Sequence, residues 1–213
     1  MIELKHDLIL LYGAGSGFGK STLAQAVAKQ LLSNNMSAQF VEEHDVLEIA
    51  EFQGYVRQVQ YGHGDDSKIL ISCCTKYIQK LELNLPEISV IDSLLPCWDW
   101  LASENCSAKK ISQFTNLLCT QLKGLNPILI IVEGDIELAL SRAVADRGKL
   151  WALDKAEQRT DIREVSAYLG YLLKLRRAME QNLASWPYKM VRVNTTNQNI
   201  QQSLLDIMNV LDA

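Results

Sequence analysis

The chain has 213 residues, 48% of them hydrophobic and 22% charged, with a formal net charge of −4. That length and apolar content suit one α/β domain spanning residues 1–213. Its mild acidity, with a pI of about 5.4, excludes a general electrostatic pull toward nucleic acid or an anionic membrane. No stretch approaches the roughly 18 apolar residues of a membrane helix, and the apolar run at Leu8–Tyr12 is too short for a secretory signal, so a cytoplasmic location is expected.

In chain order, five short apolar runs read as buried parallel strands: Leu8–Tyr12, Ala38–Val41, Ile88–Ile91, Ile128–Val132 and Met190–Val193. After the first, Leu23, Val27 and Leu31 recur at every fourth position, which gives one apolar face on a helix. Amphipathic helices are predicted over Asp66–Leu83, Ala108–Leu122, Glu137–Ala145, Val165–Leu183 and Ile200–Leu211. Repeated strand–helix alternation predicts a three-layer α/β/α fold around a five-stranded parallel sheet. The segment 146–163 stands apart, with nine charged residues in eighteen. It reads either as an exposed, mobile lid within the domain or as a plain solvated helix–turn.

The cysteines (Cys73, Cys74, Cys97, Cys106 and Cys119) are odd in number and contain no C-x-x-C pair, and His6, His44 and His63 are scattered. Reduced thiols are expected rather than a zinc centre.

The most specific signal is Ala14-Gly15-Ser16-Gly17-Phe18-Gly19-Lys20-Ser21-Thr22. It matches the P-loop pattern G-x-x-x-x-G-K-S/T except that Ala14 replaces the first glycine. A triphosphate packs several negative charges into a small volume. Convergent backbone N–H groups, glycines that permit close approach, and the partial positive end of the next helix all answer that charge. Residues 15–22 are therefore expected to bind ATP, with Lys20 on the β- and γ-phosphates and the Ser21 hydroxyl on Mg2+. Ala14 is compatible if its φ is negative.

Such a site also needs an acid at the end of another strand. Asp92, after Ile88–Ile91, is the candidate Mg2+ ligand, with a helix N-cap as the alternative role. The second strand ends in Glu42-Glu43-His44-Asp45. A carboxylate there can take the proton of an acceptor hydroxyl or bind substrate. Strand alternation puts Glu42 and Glu43 on opposite sides, and sequence does not choose between them.

These residues resemble the nucleoside and nucleotide kinase group of P-loop proteins. AGSGFGKSTLAQAVAKQL is similar to that group's opening, VEEHD falls where substrate-side carboxylates occur, and IDS falls where an acid–Arg–Ser motif occurs, here without the arginine. The resemblance implies strand order 2-3-1-4-5. It also implies an arginine-bearing helix in VEGDIELALSRAVADRG and an adenine-side loop in VRVNTTNQN.

In this frame Arg142, Arg147, Arg159 and Arg163 are candidate lid cations, with surface ion pairs as the alternative. Arg147 is assigned to catalysis; Arg142, Arg57 and Asp45 are assigned to substrate binding. Tyr61 and His63 are further candidates for the acceptor pocket, and Trp98 and Trp100 are apolar anchors or stacking groups.

The motif N-K-x-D is absent, which argues against a GTPase. Ser93 after Asp92 leaves out the water-activating acid of many ATPases. The expectation is an ATP- and Mg2+-dependent kinase whose partner is a small-molecule acceptor. The alternative is a nucleotide-dependent regulatory or assembly protein with slow ATPase activity. Oligomeric state is open, a homodimer included.

Overall fold

All five predicted strands form, and they pair in parallel. In the computed structural model, which describes residues 6–61, 67–85, 87–103, 106–197 and 199–211, β1 (Leu8–Tyr12) is central. It is flanked by β3 (Ile88–Asp92) and β4 (Pro127–Glu133). β2 (Ala38–Val41) and β5 (Met190–Asn194) form the edges, giving the order β2-β3-β1-β4-β5. The register sets Leu11 beside Asp92 and Tyr12 beside Ile131, so the carboxyl ends of three strands open at one rim. Ligands of open α/β sheets sit at such a rim.

The twofold alternation of β1 splits the core. Leu8, Leu10 and Tyr12 face α3 (Ser67–Leu83) and α5 (Ala108–Leu122), whereas Ile9 and Leu11 face α1 (Lys20–Ser33) and α9 (Ile200–Leu211). Because both faces of β1 are covered, all five of its residues are buried and its sequence is continuously apolar. α8 (Val165–Leu183) contributes to both cores, with Tyr168 and Leu172 on one side and Leu175 and Met179 on the other.

α6 (Ile136–Arg147) is longer than predicted. Asp135 caps its start by accepting a 2.8 Å hydrogen bond from the Leu138 N–H. Three further helices were not predicted: α2 (Gln53–Tyr61), α4 (Trp98–Ser103) and α7 (Lys149–Thr160). α7 occupies the charged segment 146–163 and is neither structureless nor solvated all round. Ala152 and Ala156 are fully buried against the rest of the fold. Two small residues four apart form too narrow an apolar stripe to stand out from nine charges in the sequence. Among the described residues, no helix is long and apolar enough to cross a membrane.

Candidate active site

The glycine loop leaves β1 at the centre of the rim and enters α1. Gly15, Gly17 and Gly19 have φ of +98°, +91° and +80°. Ala14 is not among the positive-φ residues and is buried, so its methyl replaces the usual first glycine without strain. No side chain caps the start of α1 and its first turn holds no acid, so the helix presents an uncompensated positive end to the loop. Lys20 folds back, and its Nζ donates to the Gly15 carbonyl.

Gly17 combines positive φ with close packing. A Cβ there would lie 1.9 Å from the Ala139 carbonyl oxygen on α6. Gly17→Ala is therefore expected to destabilise the fold by about 3 kcal/mol or more, because helix backbone must move. Thermal or urea unfolding checks this, and an unchanged midpoint would contradict the packing.

The loop separates two adjoining lobes of one cleft. The first, about 400 Å³, is lined by Gly17, Lys20, Ser21, Thr22, Asp92 and Arg142. The second, about 450 Å³, is lined by Asp99, Trp151, Lys155, Arg159, Tyr168 and Tyr171. Ser16, Lys20, Glu43, His44, Ser93 and Arg147 border both. Ser93 sits at φ +60°, a left-handed conformation that side chains seldom adopt. It turns the chain away immediately after Asp92, and its hydroxyl donates to the Asp92 carboxylate at 2.8 Å.

The structure separates the acids at the end of β2. Glu42 and Asp45 form a reciprocal cap on a single 3₁₀ turn: the Asp45 carboxylate accepts the Glu42 N–H at 2.8 Å, and the Glu42 side chain accepts the Asp45 N–H. Both carboxylates are engaged with backbone, whereas Glu43 borders both lobes.

The second acid in the second lobe is Asp99, near the start of α4, which the sequence reading did not single out. Tyr12 places it. The phenol donates to Asp99 Oδ1 at 3.0 Å and accepts the Asp99 N–H at 2.9 Å. Burial, then the neighbouring Glu43 charge, push the Asp99 carboxyl up to about 6, against the Tyr12 hydrogen bond and Lys20, which pull it down.

The signal that could have found Asp99 is its place between two tryptophans shortly after the Asp92 strand. Trp98 itself is a core anchor rather than a stacking surface. Its Nε1 donates to Thr115 at 2.8 Å, and it packs edge-on against Tyr12 and Trp186.

The predicted cations also divide. Arg147 donates to the Ser16 hydroxyl at 3.2 Å and lies over the Trp151 ring. Arg142 donates to the Thr195 and Thr196 carbonyls at 3.2 and 3.0 Å, so it holds the loop after β5 while bordering the first lobe. Arg159 lies over the Tyr171 ring in the second lobe. Arg163 pairs with Asp154 at 2.8 Å and with Glu157, away from the cleft.

Arg57 is not in the cleft. It donates to the Gln53 carbonyl and lines a separate hollow of about 480 Å³ between α2 and α3, which lacks the glycine loop. His63, and the side chains of Tyr61 and Trp100, lie outside the described residues. Among the described residues, no three His, Cys, Asp or Glu side chains are grouped to hold a metal ion. Ser21 and Asp92 do border one lobe and offer the hard oxygen donors that suit Mg2+ alongside phosphates and water.

No family model matches the chain, and no curated protein is significantly similar to it.

Proposed function

We propose that the chain is a P-loop phosphotransferase that moves the γ-phosphoryl group of ATP to a hydroxyl of a small metabolite. The observation that carries this reading is the two-lobed cleft. One lobe is lined by the glycine loop, Ser21 and Asp92; the other by carboxylates, cations and aromatics; and Lys20 borders both. The second lobe gives a second substrate a place beside the phosphate site, which hydrolysis of ATP alone does not require.

In this reading residues 15–22 hold the triphosphate, and the loop at Thr195–Thr196, fixed by Arg142, lies on the adenine side. Mg2+ held by Ser21 and Asp92 would supply charge neutralisation on the β- and γ-phosphates. The acceptor oxygen attacks the γ-phosphorus as the bond to the β–γ bridging oxygen breaks, releasing ADP. The hydroxyl proton passes to Asp99, beside Glu43; burial, then the Glu43 charge, raise the Asp99 carboxyl to about 6, within reach of neutral pH. Lys20 and Arg147, which border both lobes, bear on the charge that spreads over the migrating group.

The test is transfer of label from γ-labelled MgATP to a panel of nucleosides, nucleotides, sugars and hydroxy acids. Phosphorylation of one acceptor class, with ATP turnover rising at least about tenfold over background, is expected. Slow hydrolysis insensitive to every acceptor would contradict a kinase. It would favour the nucleotide-dependent regulatory or assembly protein instead.

A further inference from the structure

The second lobe carries positive charge that its own surroundings do not neutralise. Trp151, Lys155 and Arg159 recur every four residues along α7 and all line this lobe. Like charges four apart on a helix repel. The Lys155 ammonium is pushed down by burial and then by Arg159, with Arg147 adding to the repulsion and Glu43 only partly offsetting it.

α7 also holds two acids, Asp154 and Glu157, but both turn to Arg163 on the outer side. Among the described residues, neither Lys155 nor Arg159 forms an ion pair. Neither borders the lobe lined by Ser21 and Asp92, so their charge is not directed at the triphosphate. A half-buried ammonium and an exposed guanidinium, neither held in an ion pair among the described residues and both lining a cavity that holds the candidate base, are arranged for an anion supplied by a ligand.

We propose that the acceptor carries an oxyanion of its own, a phosphate or a carboxylate, held by Lys155 and Arg159 while its hydroxyl reaches the Glu43–Asp99 pair. The stacked rings of Tyr168 and Tyr171, 6.1 Å between centroids, line the same lobe. This assignment rests on the two-lobe kinase reading and narrows its substrate class. Neutral nucleosides and free sugars are excluded, and their phosphorylated or carboxylated counterparts are selected.

Matched pairs separate the possibilities: uridine with uridine monophosphate, glucose with glucose 6-phosphate, and glycerol with glycerate. Each is added to the full-length protein with saturating MgADP, and the melting temperature is read. At least one charged member is expected to raise it while its neutral partner does not. Which charged member acts distinguishes phosphate from carboxylate.

Lys155→Gln and Arg159→Gln should each weaken that ligand about 10- to 100-fold and change MgADP affinity less than about twofold. Equal effects of charged and neutral members, binding of neither, or loss of MgADP affinity in place of ligand affinity would overturn the proposal. Transfer assays on the same pairs judge the kinase reading separately. A charged ligand that binds through Lys155 and Arg159 but is never phosphorylated would sustain the anion site and sink the kinase.

Discussion

Lys20→Ala should abolish the nucleotide chemistry while leaving the fold intact. Lys20 borders both lobes; among the described residues its Nζ donates to the Gly15 carbonyl within its own loop, and its charge also acts on the Asp99 carboxyl. Truncation therefore costs the ligand-free protein one hydrogen bond and an attraction to Asp99. In the complex it removes a charge from the phosphates at the position where negative charge grows during transfer. A loss of at least about 10³-fold in kcat/KM for ATP is expected. The rise in melting temperature on adding MgATP should vanish, with the unliganded melting temperature moving by no more than a few degrees. A variant that still binds and transfers normally would refute the assignment of residues 14–22. One that unfolds would show that Lys20 carries structural weight which the Gly15 contact does not account for.

Asp99→Asn should also abolish activity but, unlike Lys20→Ala, should stabilise the protein. The Asp99 carboxyl titrates near 6, against an ordinary value of 3.8, chiefly because burial disfavours its charged form. A native pKa raised above the unfolded one means that the folded state holds the proton more tightly. The associated stability is complete below about pH 4 and is lost as pH rises through about 6. At pH 7.5 the wild-type protein therefore carries a half-buried charge that an amide would not. Asparagine should raise stability there by on the order of 1–3 kcal/mol, and the gain should shrink toward zero at pH 4.

The same substitution removes the basic partner of Glu43, so transfer should fall about 10²- to 10⁴-fold. In the wild type, kcat/KM should rise with pH through about 6, and that inflection should be missing from the variant. Denaturation at the two pH values together with a pH–rate profile checks both halves. Loss of activity without any pH-dependent gain in stability would mean that the Asp99 carboxyl is not held above its ordinary range in the folded protein.

The sheet and the glycine loop were legible in the sequence because each follows from local pattern. β1 is apolar at every position because helices cover both faces, and Gly15, Gly17 and Gly19 stand where the loop needs positive φ. Asp92 was legible from its place at the end of an apolar run.

That Glu43 borders the cleft while Glu42 caps a turn was not legible, since it depends on the cap that Glu42 forms with Asp45 across a turn too short to leave a periodic signal. Nor was Asp99. Its position depends on a phenol 87 residues away and on Trp98 packing beneath it, and both are tertiary facts. The charged segment 146–163 misleads for a related reason. Charge normally marks a solvated surface, but on α7 the half-buried Lys155 and the exposed Arg159 line the cleft, and Ala152 and Ala156 mark the packed side. Arg57 fell in the expected stretch of chain and still faces a different hollow, because α2 carries it away from the rim.

The central claim is that the turn between β1 and α1 cups a polyphosphate. A crystal structure of the protein with MgADP tests it most directly. The expected density places the β-phosphate among the amides of residues 15–20, with Lys20 Nζ swung off the Gly15 carbonyl onto phosphate oxygen and the metal beside Ser21 and Asp92. Nucleotide bound elsewhere, or Lys20 still folded onto Gly15 in the presence of saturating ligand, would contradict it.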